Sequence, residues 1–407
     1  MTIEVDVAVA GGGPAGLAAA LAMARQGLSV ALVDKRKLVP GSHDDGRTAA
    51  LMQPSLARLT ALGVWPTSGL APAPLRGLRI INAASALGAR GADVTFWARD
   101  LGLDAFGYNF PITTLVDMLQ QHVRDNEAIR IVDGAGVLAF SRAASKATLA
   151  LDDGNTIRCA LVIATDGKAS RIRALAGIDV WQRDTGQAAV TCAFNHAEPH
   201  DDVSIETHRD AGPLTTVPLP GDRSSLVWLE QRARAEELCA MDAAAFREAL
   251  QPHVARHLGS IGTPSRRQAI PLISLRAKRL AAPRVALLGE TAHAFSPIGA
   301  QGLNLTLRDV ETLAAIVKQQ AHDPGSTEGL RAYDRQRRPD VRLRVTGVDR
   351  FGAAVATSSP LMAMLRDAGL RALSTTPPAR RALMRMMMGE SERPLDVLRQ
   401  PQAMLTR

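Results

Sequence analysis

The sequence predicts an α/β protein with a Rossmann-like dinucleotide-binding domain, an inserted β-sheet domain and a C-terminal helical region. Three observations predict this fold class: a βαβ unit with a glycine-rich turn at the N-terminus, two blocks of short alternating strands, and a helical pattern beyond Pro339. With 407 residues, the chain is long enough for two domains or for one large core with insertions.

The N-terminal βαβ unit has the usual length of about 30 residues. Residues 3–10 (IEVDVAVA) predict one buried parallel strand, because they are apolar and rich in β-branched side chains. The turn GGGPAG follows, then an alanine-rich helix that ends at Gly27, and then a second strand that ends at Asp34.

The glycine-rich turn places Gly11, Gly13 and Gly16 in the pattern G-x-G-x-x-G, with Asp34 23 residues after Gly11. Without Cβ atoms, the backbone N–H groups can approach a pyrophosphate at the helix N-terminus, and the acid can accept hydrogen bonds from a ribose. A turn that binds no ligand is the alternative, but the strand, the helix and the acid together favour a dinucleotide. The predicted cofactor-binding residues of this unit are Gly11, Gly13, Pro14, Ala15, Gly16, Asp34 and Lys35.

The central part of the chain predicts helices and a β-rich insertion. Residues 48–62 predict a helix capped by Gly63, and residues 111–123 and 242–258 predict two more helices. Short alternating strands with Gly-Pro turns run from Leu78 to Arg99 and from Ala188 to Leu229, which indicates one β-rich domain inserted in two pieces.

The predicted domains are therefore discontinuous. Residues 1–70, 110–178 and 275–345 are assigned to the dinucleotide-binding domain, residues 71–109 and 179–274 to a substrate-binding β-rich domain, and residues 346–407 to the C-terminal helical region.

A corner at residues 287–310 (LLGETAHAFSPIGAQGLNLTLRDV) starts as a buried strand and ends as an amphipathic helix. Its turn contains Pro297 and Gly299 and almost no charge, whereas exposed turns more often use Asn, Asp and Ser. We interpret this corner as the wall of a ligand site, with a plain strand-turn-helix corner as the alternative.

Three segments resemble the FAD-dependent aromatic hydroxylases. Arg47 in residues 44–65 matches an arginine that reaches the flavin nucleotide in that family, and Asp166, Gly167 and Arg173 match its Asp-Gly segment. The corner is similar to the family's flavin-binding segment. The further cofactor-binding residues that the resemblance implies are Arg47, Val137, Asp166, Gly289, Glu290, Pro297, Gly299, Gln301, Gly302, Leu303 and Asn304.

The resemblance is closest to the ubiquinone-biosynthesis branch of these hydroxylases, through GYNFPITTLVDML, AGPLTTVPLP (211–220) and YDRQRRPDV (333–341). It implies an FAD-binding domain of the glutathione-reductase type and no metal. It also implies that NADH or NADPH reduces FAD transiently, that O₂ then gives a C4a-hydroperoxide, and that the aromatic ring of a lipid-soluble, polyprenylated phenol is hydroxylated. In this chain Glu290 replaces the usual Asp, and the order of Gly299 and Ala300 is exchanged.

The resemblance implies no protein nucleophile, because the flavin carries the chemistry. His293 and Pro297 are expected beside the active site, and for His293 a hydrogen-bonded structural role is favoured over that of a base. Val217, Leu219 and Trp228 are candidates for a pocket wall, although ordinary core positions fit them at least as well.

The net charge of +8 originates entirely in the C-terminal part, where residues 331–407 contain fifteen Arg, no Lys and seven acidic residues. Arg380, Arg381 and Arg385 stand beside four methionines there. One interpretation is a surface that contacts anionic lipid or the partner enzymes of a ubiquinone-synthesis complex; the other, slightly favoured, is a helix that packs Met on the core with Arg in solvent. Nucleic acid is disfavoured, because only 3% of residues are aromatic.

The sequence shows no signal peptide and no apolar run of about 18–20 residues. We therefore expect a cytoplasmic protein, with peripheral contact at the inner face of the membrane as an option. Three other functions stay open: a flavin hydroxylase of another aromatic or secondary metabolite, a non-catalytic flavin-bearing scaffold in a quinone-synthesis complex, and, least favoured, an NAD-linked dehydrogenase.

Overall fold

The computed structural model describes residues 1–41, 46–65, 71–83, 91–297, 300–355 and 360–389. It confirms the predicted fold class: a parallel sheet with helices, a large mostly antiparallel sheet, and helices at the C-terminal end of the described chain.

The described strands lie between residues 2 and 294, with helices between some of them. In chain order they are β1 (Thr2–Glu4), β2 (Val7–Ala10), β3 (Val30–Asp34), β4 (Thr48–Met52), β5 (Ala73–Pro74), β6 (Gly77–Asn82), β7 (Asp93–Trp97), β8 (Gly107–Pro111), β9 (Ile129–Asp133), β10 (Val137–Arg142), β11 (Ala147–Leu151), β12 (Thr156–Cys159), β13 (Leu161–Ala164), β14 (Val180–Asn195), β15 (Val203–His208), β16 (Leu214–Leu219), β17 (Arg223–Gln231), β18 (Gln268–Ala277), β19 (Ala281–Ala282), β20 (Val285–Leu287) and β21 (His293–Ala294).

The first helices alternate with strands along the chain, and the described elements after β21 are all helices. They are α1 (Pro14–Ala24), α2 (Gln53–Ala61), α3 (Ile112–Arg124), α4 (Arg171–Leu175), α5 (Arg232–Ala240), α6 (Ala243–Leu258), α7 (Gln301–Gln319), α8 (Thr327–Val355), α9 (Pro360–Thr375) and α10 (Pro377–Met388), with short 3₁₀ turns at Ala98–Leu101 and Gly289–Thr291.

The dinucleotide-binding half is built on a six-stranded sheet with the order β19-β20-β13-β2-β3-β9, parallel from β20 to β9. Its central strands are fully buried, as expected for a parallel sheet covered on both faces. Helix α1 packs against α3 and α7. A four-stranded sheet with the order β1-β12-β11-β10 accompanies it.

The β-rich half is an eight-stranded sheet with the order β21-β18-β14-β17-β16-β15-β6-β7. Strand β6 pairs in parallel with β15, so the two predicted strand blocks join in one sheet. Strands β18 and β21 also belong to it, although the predicted boundary at residues 274/275 cuts β18 and assigns β21 to the other domain. We therefore propose a domain division in which the eight-stranded sheet, including β18 and β21, forms the β-rich domain.

Two predicted elements are wrong in part. Residues 48–62 are not one helix, because Thr48–Met52 pairs with Gly107–Pro111 as a strand and α2 begins only at Gln53. Residues 3–10 are not one strand: Asp6 accepts hydrogen bonds from the backbone and hydroxyl of Ser29 at 2.9 and 2.7 Å, and the two flanking strands enter different sheets.

The C-terminal helices pack on the β-rich half. Met384 and Met388 of α10 are buried against Phe96 and Val94 of β7, so the interpretation that places methionines on the core is confirmed for these two. In the described part of the chain, no helix combines the length and the apolarity that a membrane crossing requires.

Candidate functional site

The glycine-rich turn connects β2 to α1 and contains two kinds of glycine. Gly11 has φ +115°, and a Cβ there would overlap the carbonyl oxygen of Thr165. A Cβ on Gly16 would overlap the carbonyl oxygen of Gly11. These two glycines are therefore required by the chain's own packing.

Gly13 differs from both, because a Cβ built on it has no atom within 4 Å and its φ is −77°. It forms the N-cap of α1 without a side-chain cap, followed by Pro14. Neither packing nor backbone conformation explains this glycine, whereas a ligand at the uncapped N–H groups of α1 would.

Asp34 lies at the end of β3, buried next to the same turn. Its Oδ2 accepts a hydrogen bond from the Gly12 N–H at 2.6 Å, and its Oδ1 accepts one from the Arg36 N–H at 2.8 Å. A carboxylate has about four acceptor sites, so these bonds fix its orientation and leave capacity for a ribose diol. Lys35 lies beside Gly136, and Gly136 is the residue that precedes Val137 in the sequence.

The Asp-Gly segment is tied to the corner by hydrogen bonds. The Gly167 N–H donates to Thr291 Oγ1 at 3.0 Å, and Arg173 donates to the Thr291 carbonyl oxygen at 2.9 Å. Burial lowers the pKa of Arg173, and Asp166 opposes this effect. Asp166 itself accepts from the Ser170 hydroxyl at 2.5 Å, which fixes the start of α4.

The corner also contacts the glycine-rich turn directly. Gly289 has φ +61°, and a Cβ on it would lie 3.0 Å from the Cβ of Ala15. Glu290 points outward and pairs with Lys168 at 3.5 Å. Segments that are far apart in the sequence thus meet around one space.

The N-terminus of α7 forms another side of that space. Ala300 is its N-cap, with φ +52° and no side-chain cap. Gly302 in the first turn resembles Gly13, because a Cβ there would meet no atom within 4 Å. Asn304 donates to the Ala50 carbonyl oxygen at 2.9 Å and accepts from the Met52 N–H at 3.0 Å, which joins α7 to β4.

The remaining predicted residues surround the same region. Arg47 lines a pocket together with Lys168, Glu290 and Pro297. Gln301 accepts a hydrogen bond from Arg344 at 2.9 Å, and Leu303 packs on the main core. Gly299 lies outside the described residues.

His293 belongs to a buried ionic network that the sequence did not predict. Its Nε2 is 2.6 Å from Asp309 Oδ2, and Arg337 donates to Asp309 Oδ1 at 2.6 Å. Arg337 also contacts Asp340 at 2.9 Å, and Asp340 pairs with Arg344 at 2.8 Å. His293 therefore has the hydrogen-bonded position favoured for it, and the network connects β21, α7 and α8.

Burial disfavours the charged forms of the residues in this network. At Asp309, however, the neighbouring positive charges outweigh the effect of burial on the pKa. The pKa of Asp309 is lowered, because the charges of Arg337 and His293 overcome the burial. Burial lowers the pKa of Arg308 to about 10, with Arg344 acting in the same direction. Burial and the charge of Asp309 raise the pKa of Tyr333, whose hydroxyl donates to the Leu287 carbonyl oxygen at 2.9 Å.

A second pocket lies between Pro297 and Ala300 on one side and the eight-stranded sheet on the other. The space in and around it is about 1060 Å³, with the open solvent at its mouth included. Apolar side chains form most of its wall, and three methionines of α10 close one part: Met384, Met387 and Met388.

The polar part of this pocket contains Asn109 and Glu206, both buried. Asn109 donates to the Pro218 carbonyl oxygen at 2.8 Å, while its Oδ1 has no hydrogen-bond partner in the described chain. Sequence reasoning missed both residues. The signal for Glu206 was the alternation of Ser204, Glu206 and His208 in VSIETH, where one strand face is polar.

Of the three predicted wall residues, only Val217 lines this pocket. Trp228 has the core position that was its alternative, because it lies on the opposite face of the sheet and its ring is 6.1 Å from that of Phe246 in α6. Leu219 is buried but is not part of the described pocket wall.

Comparison with known proteins gives consistent results. Residues 4–348 match the family described as FAD binding domain. The ubiquinone hydroxylase UbiL of Rhodospirillum rubrum is 30% identical over 389 residues, covering 94% of this chain and 89% of the relative. The 3-demethoxyubiquinol 3-hydroxylase of Escherichia coli is 28% identical, covering 94% and 98%. The crystal structure of p-nitrophenol 4-monooxygenase PnpA from Pseudomonas putida has the same fold, with a TM-score of 0.77 at 20% identity over 99% of this chain and 100% of that one.

Proposed function

This chain belongs to the FAD binding domain family, and from that premise we propose that it hydroxylates the aromatic ring of a polyprenylated phenol in ubiquinone biosynthesis. It is an FAD-dependent monooxygenase, with NADH or NADPH as the transient reductant and O₂ as the co-substrate. The names of the two relatives supply the ubiquinone pathway, and the pocket supports the substrate class.

The predicted cofactor-binding residues fit FAD. The uncapped N–H groups at Gly13 would bind the pyrophosphate, and Asp34 would bind the ribose. The uncapped N-terminus of α7 at Gly302 would place partial positive charge beside the flavin's N1–C2=O edge. Bound FAD supplies electron transfer and the activation of O₂; the chain orients the substrate ring and excludes water.

The observation that carries the substrate class is the pocket beside Pro297 and Ala300. Its wall is mainly apolar, with Phe96, Phe106 and the methionines of α10, and its polar groups are confined to a few residues. Such a wall suits a ring with one or two polar substituents and an attached hydrocarbon chain.

The test uses the purified, FAD-loaded protein with NADH or NADPH and two phenols that differ only in a short prenyl chain. We expect the prenylated phenol to stimulate cofactor oxidation and to gain one oxygen atom by mass spectrometry, while the unprenylated phenol does neither. Equal turnover of both would favour a hydroxylase of another aromatic metabolite. Flavin binding without turnover of either would favour the non-catalytic scaffold.

We also propose that the basic C-terminal region contacts a membrane surface or a partner enzyme. Arg381 and Arg385 are exposed on α10, while Met384 and Met388 of the same helix are buried. Substrate that is delivered from a bilayer would then enter close to α10, the helix that forms part of the pocket wall.

A further inference from the structure

Strand β15 divides its side chains between two environments. Ser204 and Glu206 line the pocket beside Pro297. Ile205 and Thr207 instead line a small cavity on the opposite face of the sheet, beside Val254 of α6. The strand's alternation therefore directs a carboxylate into the space that the substrate would occupy.

Glu206 is only 7% exposed, and its Oε1 lies 2.8 Å from His208 Nε2. His208 is 2% exposed. In the described chain no bond is made to the other carboxylate oxygen, Oε2, and no Arg or Lys pairs with Glu206. Among the described residues that line this pocket, Glu206 is the only ionisable side chain.

A buried acid that serves stability is surrounded differently in the same sheet. Glu230 is also 7% exposed, but Arg209 donates to it at 2.8 Å and Trp228 donates at 2.8 Å. A buried carboxylate usually needs such a cationic partner. Glu206 has a histidine and a pocket instead, which is the arrangement of a proton acceptor.

We propose that Glu206 is the base that accepts the phenolic proton of the aromatic substrate, and that His208 is its positioning residue. This inference rests on the proposed function. The phenolic O–H bond breaks, the proton moves to Glu206, and the electron pair stays on the ring oxygen and raises the electron density of the ring carbons. His208 donates from Nε2 to Oε1, which keeps the other oxygen directed at the pocket.

The proton balance closes within one turnover. A ring carbon accepts a hydroxyl group derived from O₂ and then loses its hydrogen as a proton, so the ring becomes aromatic again. The ring oxygen recovers a proton from Glu206. NADH or NADPH supplies two electrons as a hydride, and one proton is taken up from solvent. The hydride, this proton and the proton released from the ring carbon provide the three hydrogens of the new hydroxyl group and of the water that carries away the second oxygen atom.

The experiment compares wild type, Glu206→Gln and Glu206→Asp, with Glu230→Gln as a control for the loss of an equally buried acid. Each protein is tested, FAD-loaded and at mildly alkaline pH, with a short-chain prenylated phenol and with its nitro-substituted analogue, whose hydroxyl is mostly ionised under these conditions. We expect E206Q to hydroxylate the unionised phenol about 100-fold or more slowly, to change the analogue's rate little, and to release hydrogen peroxide instead of product. E206D should retain part of the rate.

Several outcomes decide the matter. An equal loss with both phenols in E206Q would show a structural role and overturn the proposal, as would unchanged turnover. If E206Q fails to retain FAD, E206D is tested with the same two phenols. A misplaced base should slow the hydroxylation of the protonated phenol more than that of the ionised analogue, and an equal loss with both would overturn the proposal. A wild-type protein that hydroxylates neither phenol would contradict the proposed function itself, whatever the variants do.

Discussion

Gly13 and Gly302 share a property that separates them from the other glycines of the site. Both have room for a Cβ and neither has a positive φ, whereas Gly167 also has room but has φ +88°. Gly13 has an extended backbone that any residue could adopt. Each lies at the uncapped start of a long helix, where free N–H groups attract negative charge. The absence of a side chain is thus explained by a ligand more readily than by the protein's own packing.

We expect Gly13→Val to abolish FAD retention without unfolding the protein. The valine side chain would fill the space through which the pyrophosphate reaches the backbone of α1. The measurement is the ratio of flavin to protein absorbance after purification, combined with circular dichroism. Gly347→Val is the matched control, because Gly347 is also surrounded by open space but lies on the exposed face of α8. A fully loaded yellow G13V protein would contradict the phosphate assignment.

At the scale of elements, helices α7 and α8 are joined by buried charges. Asp309 of α7 is fully buried between His293 and Arg337, and Arg337 also reaches Asp340. Because Asn304 and Gln301 start the same helix, the network holds the helix end that faces the predicted flavin. Its removal should affect both stability and the alignment of the site.

We expect Asp309→Asn to destabilise the protein by about 3–5 kcal/mol, because it leaves Arg337 buried without one of its carboxylates. Glu311→Gln is the control on the same helix: Glu311 is exposed and pairs with Arg58, so its loss should cost less than about 1 kcal/mol. Urea unfolding at constant FAD concentration measures both. Equal midpoints for the two variants would contradict a structural role of the network.

The pH dependence of that difference follows from the lowered pKa of Asp309. A carboxylate whose folded pKa is depressed contributes its full stabilisation above the unfolded value of about 4 and loses it as the pH falls through the folded value. The gap in unfolding free energy between wild type and D309N should therefore be constant near neutral pH and should narrow in acid. A gap that widens below pH 4 would show that the sign is wrong.

The sequence predicted elements well where one local signal sufficed. The turn at Gly11–Gly16 and helices such as 242–258 have their own periodicity or turn chemistry. Residues 48–52 were misassigned because a partner strand, Gly107–Pro111, decides their conformation.

The site residues also divide into those that a local sequence signal predicted and those that depend on contacts between distant segments. The motif residues were found from the turn chemistry or from the resemblance, whereas Glu206 and the Asp309 network depend on contacts across sheets and helices. Asp309 and Arg337 are 28 residues apart, and Glu206 meets its pocket only through the pairing of β15 with β6 and β16. No local pattern reports such a contact.

At the scale of the whole molecule, the C-terminal helices α9 and α10 dock on the β-rich half, and α10 forms part of the pocket wall. Asp367 of α9 accepts hydrogen bonds from Asn82 at 2.7 Å and from the Ala92 N–H at 2.8 Å. Arg380 of α10 pairs with Asp100 at 2.8 Å, donates to the Thr95 carbonyl oxygen, and lies over the ring of Phe96 at 5.2 Å. The three arginines that the sequence grouped together therefore differ in role, because Arg380 docks the helix while Arg381 and Arg385 remain exposed.

This difference gives a pair of opposite predictions. Arg380→Ala should loosen α10 over the pocket and raise the KM for a prenylated phenol, with no change in binding to lipid vesicles. The double variant Arg381→Ala/Arg385→Ala should leave the KM in detergent unchanged. Its partition onto vesicles that contain anionic lipid should weaken about 30-fold, since each surface cation contributes about 1 kcal/mol there.

Neutral vesicles are the control for the double variant, because electrostatic attraction requires anionic headgroups. Unweakened binding of the double variant to anionic vesicles would show that Arg381 and Arg385 do not make the membrane contact. A wild-type protein that does not bind anionic vesicles would reject the membrane contact and leave a partner enzyme as the ligand of the basic surface. If R380A weakened vesicle binding as much as the double variant does, the docked position of α10 itself would be the membrane-binding feature, and the division of roles among the three arginines would be wrong.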